Sequence, residues 1–158
     1  MKPFFVTLGL LAAGTAEGQR AGTMPDSQTV VFVCEHGTAK SVIAMAYFDS
    51  LARARGLPFR AVSRGTAPDA SFPEFVREGL KTDGFDLSGF TPTRLSQLDL
   101  RAAFVVSFDQ PGVAQFAGRR VPTTAWDNLP SVTAHYATAR DSIRQRVAVL
   151  VDSLARNR

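Results

Sequence analysis

Residues 30–41, VVFVCEHGTAKS, pass from four consecutive apolar residues through a cysteine into a run of small and polar residues that leads into a helical pattern. An unbroken apolar stretch such as Val30-Val31-Phe32-Val33 marks a strand covered on both faces, as in a parallel sheet packed between helices. A helix is predicted over 39–55, because Val42, Ile43, Ala46, Phe48 and Leu51 recur near helical spacing and Gly56 stands just past the end as a stop. Ligands of open α/β sheets bind outside the carboxyl ends of the strands. Cys34 stands at that place.

Working outward, strands and helices alternate. Strands are predicted over 59–63, 102–108 (AAFVVSF) and 120–125, and helices over 72–82, closed by Asp83-Gly84, and 134–155. In the last helix Tyr136, Ala139, Ile143, Val147, Leu150 and Leu154 recur every three or four residues. Strands separated by helices imply βαβ units, hence a parallel sheet with helices on both faces. No internal repeat or low-complexity tract interrupts the pattern.

The composition agrees with one folded unit. A chain of 158 residues suits a single domain, and 45% hydrophobic with 20% charged residues argues against disorder or a coiled coil. The net charge of +4 favours anionic ligands, yet Lys and Arg are scattered and no aromatic-basic stripe appears, so nucleic acid is not an expected partner. One cysteine rules out an intramolecular disulfide, and two histidines without HExxH-like spacing give no zinc motif; neither metal nor cofactor is expected.

The first twenty residues read as an export signal: Lys2 supplies the positive region, 4–13 the apolar core, and Gly14-Thr15-Ala16 small residues for cleavage. The apolar run is too short for stable membrane insertion. A polar linker, 21–28, would follow, then one domain over 29–158. On this reading the protein is periplasmic or secreted. The alternative is a non-signal extension, with Met24 opening a self-contained cytoplasmic domain; intact mass from the native host separates the two.

Between the first strand and its helix lies Cys34-Glu35-His36-Gly37-Thr38-Ala39-Lys40-Ser41. A loop of small and polar residues entering a helix turns backbone N–H groups inward, and these amides with the helix dipole hold an anion. The same positive environment stabilises a thiolate at the base of the loop, the form of Cys34 that attacks phosphorus. Lys40 brings an ammonium to the equatorial oxygens, and the Ser41 hydroxyl reaches the thiolate. The plain alternative for Cys34 is a small buried hydrophobe; the His-Gly-Thr-Ala-Lys-Ser that follows favours the nucleophile. Glu35 is expected to point outward or to meet Lys40, since an inward carboxylate opposes a second negative charge. His36 is expected to orient the loop. Arg64 either adds positive charge near the loop or sits on the surface, and His135 is expected as a surface residue in the cap region of the last helix, not a ligand.

At these residues the chain resembles the low-molecular-weight protein tyrosine phosphatases and their relatives, the thioredoxin-coupled arsenate reductases, which share a Cys-x5-Arg-Ser loop. The form Cys-Thr-His-Asn-Ser-Ala-Arg-Ser is matched at Cys34, His36, Ala39 and Ser41. Ser63-Arg64-Gly65-Thr66 is similar to the family's Ser-Ala-Gly-Thr, and Gly84-Phe85-Asp86-Leu87-Ser88 to its Gly-Ile-Asp-Ile-Ser. Trp126 and YATARDSI at 136–143 resemble its acid loop and the start of its last helix. The likeness runs from about Thr29 to Leu154.

The resemblance implies a flavodoxin-like three-layer α/β domain with a four-stranded parallel sheet of order 2-1-3-4. It also implies a phosphomonoesterase acting through a phosphocysteine intermediate on a phosphorylated protein or a small phosphate or oxyanion. Cys34 would attack, Lys40 and the amides of 35–41 (Glu35, His36, Gly37, Thr38, Ala39, Lys40, Ser41) would hold the phosphoryl oxygens, and Asp127 would protonate the leaving group. Three departures stand out. Lys40 replaces the family's arginine, a point charge in place of a planar fork. Asp109 lies where the arsenate reductases carry further cysteines, so an internal disulfide relay is impossible. Asp127-Asn128-Leu129-Pro130 replaces the family's Asp-Pro, leaving Asp127 either the acid or a turn-former. Two other activities therefore stay open: an arsenate reductase using an external thiol, and an oxyanion-binding pseudo-phosphatase.

Overall fold

The structure, a computed structural model, describes residues 25–118 and 120–157. The export signal expected over 1–20 lies outside the described residues, as does the first half of the expected linker. Just before the first strand the chain turns: Asp26 Oδ1 accepts from the Gln28 N–H at 2.9 Å and from the Thr29 hydroxyl at 3.0 Å. Arg60 Nη2 clasps the other oxygen at 3.0 Å, so a turn fastens the chain to the sheet.

Strand β1, Thr29–Cys34, is buried along its whole length because it lies inside the sheet and under both helical layers. It pairs in parallel with β2, Arg60–Gly65, from Thr29↔Arg60 to Cys34↔Gly65. On its other side it pairs with β3, Phe104–Ser107, which in turn pairs with β4, Thr123–Ala125. The order β2-β1-β3-β4, all parallel, is the expected one.

Alternation along β1 divides the core. Val30, Phe32 and Cys34 face helix α1, Lys40–Ala54, with α2, Glu74–Thr82, and α4, Tyr136–Arg156. Val31 and Val33 face Val113 and Ala117 of α3, Gly112–Ala117, beside the 310 helix Gln97–Arg101. On the first face Phe32 meets Phe48, Phe108 and Trp126 with ring centroids 5.8, 6.3 and 5.9 Å away, inside the range of favourable aromatic pairs.

Helix α1 ends as expected. Gly56 adopts φ +63 and its N–H returns to the Arg53 carbonyl at 3.0 Å. Helix α2 begins two residues later than expected, because Phe72 precedes Pro73 and the residue before proline is turned away from helical angles. In α4 Ala139, Ile143, Val147 and Val151 are fully buried at four-residue steps, while Leu150 and Leu154 pack at the margin. Arg140 of α4 pairs with Asp83 at the end of α2 at 3.1 Å, and the Tyr47 hydroxyl of α1 donates to the same carboxylate at 2.9 Å. Burial, followed by the hydrogen bond to Asp83 and then its charge, pushes the Tyr47 hydroxyl up to about 12.

With every strand parallel, the carboxyl ends converge. Cys34, Gly65, Phe108 and Trp126 each stand at or just past a strand end on one edge.

Candidate active site

The loop after β1 is fastened to the loop after β2 by three successive carbonyls. Those of Cys34, Glu35 and His36 accept from the N–H groups of Thr66, Ala67 and Asp69 at 3.1, 2.8 and 3.2 Å. In a trans peptide the N–H points opposite to its carbonyl. The N–H groups of Glu35, His36 and Gly37 are thereby turned to the other side of the loop, and that of Gly37 reaches the Cys34 sulfur at 3.2 Å. Three aligned amides of this kind form an anion-holding concavity.

Such a close approach of two loops leaves no space for side chains. Gly37 has φ +67, and a Cβ there would lie 2.8 Å from the Gly65 nitrogen. A Cβ on Gly65 would meet Pro68 Cα at 2.9 Å and the Glu35 carbonyl oxygen at 3.0 Å.

Cys34 is almost fully buried at the base of the loop. Ser41 Oγ, in the first turn of α1, lies 3.0 Å from its sulfur, and Ser63 Oγ on β2 donates to Ser41 Oγ at 2.8 Å. Ser63 also lies 3.1 Å from the Gly37 carbonyl. When the sulfur is a thiolate it only accepts, so the chain Ser63→Ser41→Cys34 delivers a hydroxyl proton to it.

Two acidic residues secure the loop from outside. His36 Nδ1 lies 3.0 Å from Asp69 Oδ1, and the Thr38 hydroxyl donates to Asp69 Oδ2 at 3.2 Å. Glu35 points outward, its carboxylate 3.7 Å from His36 Nε2. Lys40 turns to Asp109, just after β3, with Nζ and Oδ2 2.5 Å apart. Asp127, after β4, accepts the Asp109 N–H on Oδ1 at 3.2 Å, while Arg146 of α4 holds the Asp127 carbonyl at 3.1 Å. Cys34, Lys40, Ser41 and Asp127 thus gather at one sheet edge, Lys40 and Asp127 meeting through Asp109. Ala39 is the N-cap of α1 and Thr38 is buried beneath it.

Arg64 adds no charge to the loop. Its Nε donates to the buried Asp99 at 2.8 Å and its Nη1 to the Ser63 carbonyl at 3.0 Å, on the other face of the sheet. His135 is the N-cap of α4, without a side-chain capping bond. Ser63, Asp69 and Asp109 are site residues that the sequence did not single out for a role. Ser63 was within reach, since it lies near the carboxyl end of a strand beside β1; nothing in the sequence pairs Asp69 with His36.

Among the described residues no group of three or more His, Cys, Asp or Glu is placed to hold a metal ion, and no helix is long and apolar enough to cross a membrane.

The family model described as low molecular weight phosphotyrosine protein phosphatase matches residues 29–118. No curated protein matches the sequence. Among solved structures, YfkJ from Bacillus subtilis aligns over 87% of this chain and 98% of its own with 21% identity and a TM-score of 0.73. A low molecular weight protein tyrosine phosphatase from T. tengcongensis aligns over 83% and 99% with 21% identity and a TM-score of 0.66. The thioredoxin-dependent arsenate reductase of Corynebacterium glutamicum aligns over 85% of this chain with 21% identity and a TM-score of 0.69, and the aligned part is 64% of that longer chain. Identities of this size establish a shared fold.

Proposed function

The chain belongs to the low molecular weight phosphotyrosine protein phosphatase family, and from that premise we propose that it is a phosphomonoesterase working through a phosphocysteine intermediate. The Cys34 thiolate attacks phosphorus, the bond to the leaving oxygen breaks, and Asp127 supplies that oxygen with a proton. Asp127 then takes a proton from water, which attacks the phosphocysteine and releases inorganic phosphate and the thiolate. The turned amides of 35–37, donors already in place, and the Lys40 ammonium, once released from Asp109, meet the charge on the equatorial oxygens. The observation that carries the reading is the Cys34 sulfur held between the Gly37 N–H and the Ser41 hydroxyl at the base of an amide-lined loop. Hydrolysis of an aryl phosphate by wild type and by Cys34→Ser tests it: turnover in wild type alone is expected, and equal turnover in both overturns it.

The arsenate reductase among the structural relatives supports a second reading on the same residues. Arsenate takes the place of phosphate on Cys34, and two equivalents of a soluble thiol reduce As(V) to As(III) and leave as a disulfide. Arsenate-dependent thiol consumption without aryl phosphate hydrolysis favours this reading. Lysine in the place of the family's loop arginine supports a third reading, an oxyanion-binding protein without turnover; phosphate binding with neither activity is its mark. Export to the periplasm or the outside is proposed as the location, supported by Lys2 and the apolar run over 4–13.

A further inference from the structure

Asp109 lies at the site, yet the phosphoryl-transfer scheme gives it no task. Its backbone is held in the left-handed region at φ +52, where few residues other than glycine are found. The neighbours hold it there: its N–H is taken by Asp127 and its carbonyl by Gln110 Nε2 at 3.0 Å, while Gln110 Oε1 accepts the Thr66 hydroxyl at 2.9 Å. Fixed in this way, the Asp109 carboxylate lands on Lys40 Nζ at 2.5 Å. The Lys40 side chain is only 18% exposed, whereas that of Asp109 is 47% exposed.

We propose that Asp109 is an anionic gate on the cradle, its carboxylate competing with the incoming oxyanion for the Lys40 ammonium. The inference rests on the oxyanion-site reading above. A guanidinium can hold a carboxylate on one edge and phosphoryl oxygens on another, but an ammonium is a compact charge. A phosphate reaching Lys40 meets a neutralised cation and a carboxylate that repels it. The half-exposed Asp109 side chain turns back into water at small cost, while the mostly covered Lys40 remains at the loop. Affinity for phosphate is therefore set by how readily this pair opens.

Calorimetric titration of inorganic phosphate into wild type, Asp109→Asn, Lys40→Met and the double variant tests the gate. Asparagine suits the left-handed backbone and keeps an oxygen for Lys40 while removing the charge. Asp109→Asn is expected to bind phosphate about tenfold more tightly, a gain that shrinks to about twofold when Lys40 is methionine. Asp109→Ser, with its fold checked by thermal melting, is expected to show the same direction. If wild type binds phosphate and both Asp109 variants bind it equally or more weakly, the gate is overturned and the oxyanion site stands. If wild type and Asp109→Asn both fail to bind phosphate, the oxyanion-site reading falls and the gate with it.

Discussion

The hydroxyl of Ser63 on β2 lies 2.8 Å from that of Ser41 on α1, joining two elements directly behind the nucleophile. Ser41 in turn is 3.0 Å from the Cys34 sulfur. A hydrogen bond to a charged group contributes about 1.5–3 kcal/mol. Ser41→Ala is therefore expected to lower kcat for an aryl phosphate by about tenfold to a hundredfold with a small change in KM, because the thiolate is the leaving group when phosphocysteine is hydrolysed. Steady-state kinetics checks this; an unchanged kcat would remove Ser41 from the mechanism.

Lys40 offers one compact charge where a guanidinium would grip two oxygens. Lys40→Arg is expected to raise kcat/KM by about tenfold, since bidentate charge-assisted bonds fit a phosphoryl group better than a point charge. A drop in kcat/KM would show that the surrounding loop is built for the shorter ammonium.

Asp127 acts on the leaving oxygen, so its effect depends on how much that oxygen needs a proton. Asp127→Asn is expected to lower kcat/KM for phenyl phosphate by about a hundredfold to ten-thousandfold while lowering kcat/KM for a nitrophenyl ester far less. Equal losses on both esters would assign the acid elsewhere.

The backbone contact between Gly37 and Gly65 admits no added methyl group. Gly65→Ala places a Cβ 2.9 Å from Pro68 Cα and 3.0 Å from the Glu35 carbonyl oxygen, and backbone atoms yield poorly. A loss of about 1–3 kcal/mol is expected, accompanied by loss of phosphate binding because the loop itself shifts. Chemical denaturation with phosphate titration measures both, and full stability with intact binding would contradict the packing described.

How much of this could be read beforehand follows from the range of each signal. The strands were legible because Val30–Val33 must be covered on both faces and because the helices between strands carry clear stripes, whereas their order came from the family resemblance. Helix α3 was not, since six residues, GVAQFA, hold less than two turns of pattern. Strand β4 starts later than expected after Pro122, which has no N–H for the ladder. At the site, Cys34 and Ser41 were legible from one loop. The role of Asp109 was not, because its reach to Lys40 depends on a left-handed backbone imposed by Asp127 and Gln110, far apart from Lys40 in the chain. Arg64 was open to exclusion: side chains alternate along β2, so when Ser63 faces α1, Arg64 faces the opposite layer, where Asp99 receives it.

The central claim is a covalent bond between phosphorus and the Cys34 sulfur. Rapid quench of Asp127→Asn in denaturant at mildly alkaline pH during turnover of a nitrophenyl phosphate, followed by mass spectrometry of the Cys34 peptide, tests it most directly. Slowed hydrolysis of the intermediate should let a phosphoryl group accumulate on Cys34, absent from the same peptide of Cys34→Ala. Nitrophenol release by Asp127→Asn with no phosphoryl group ever found on Cys34 would contradict the account.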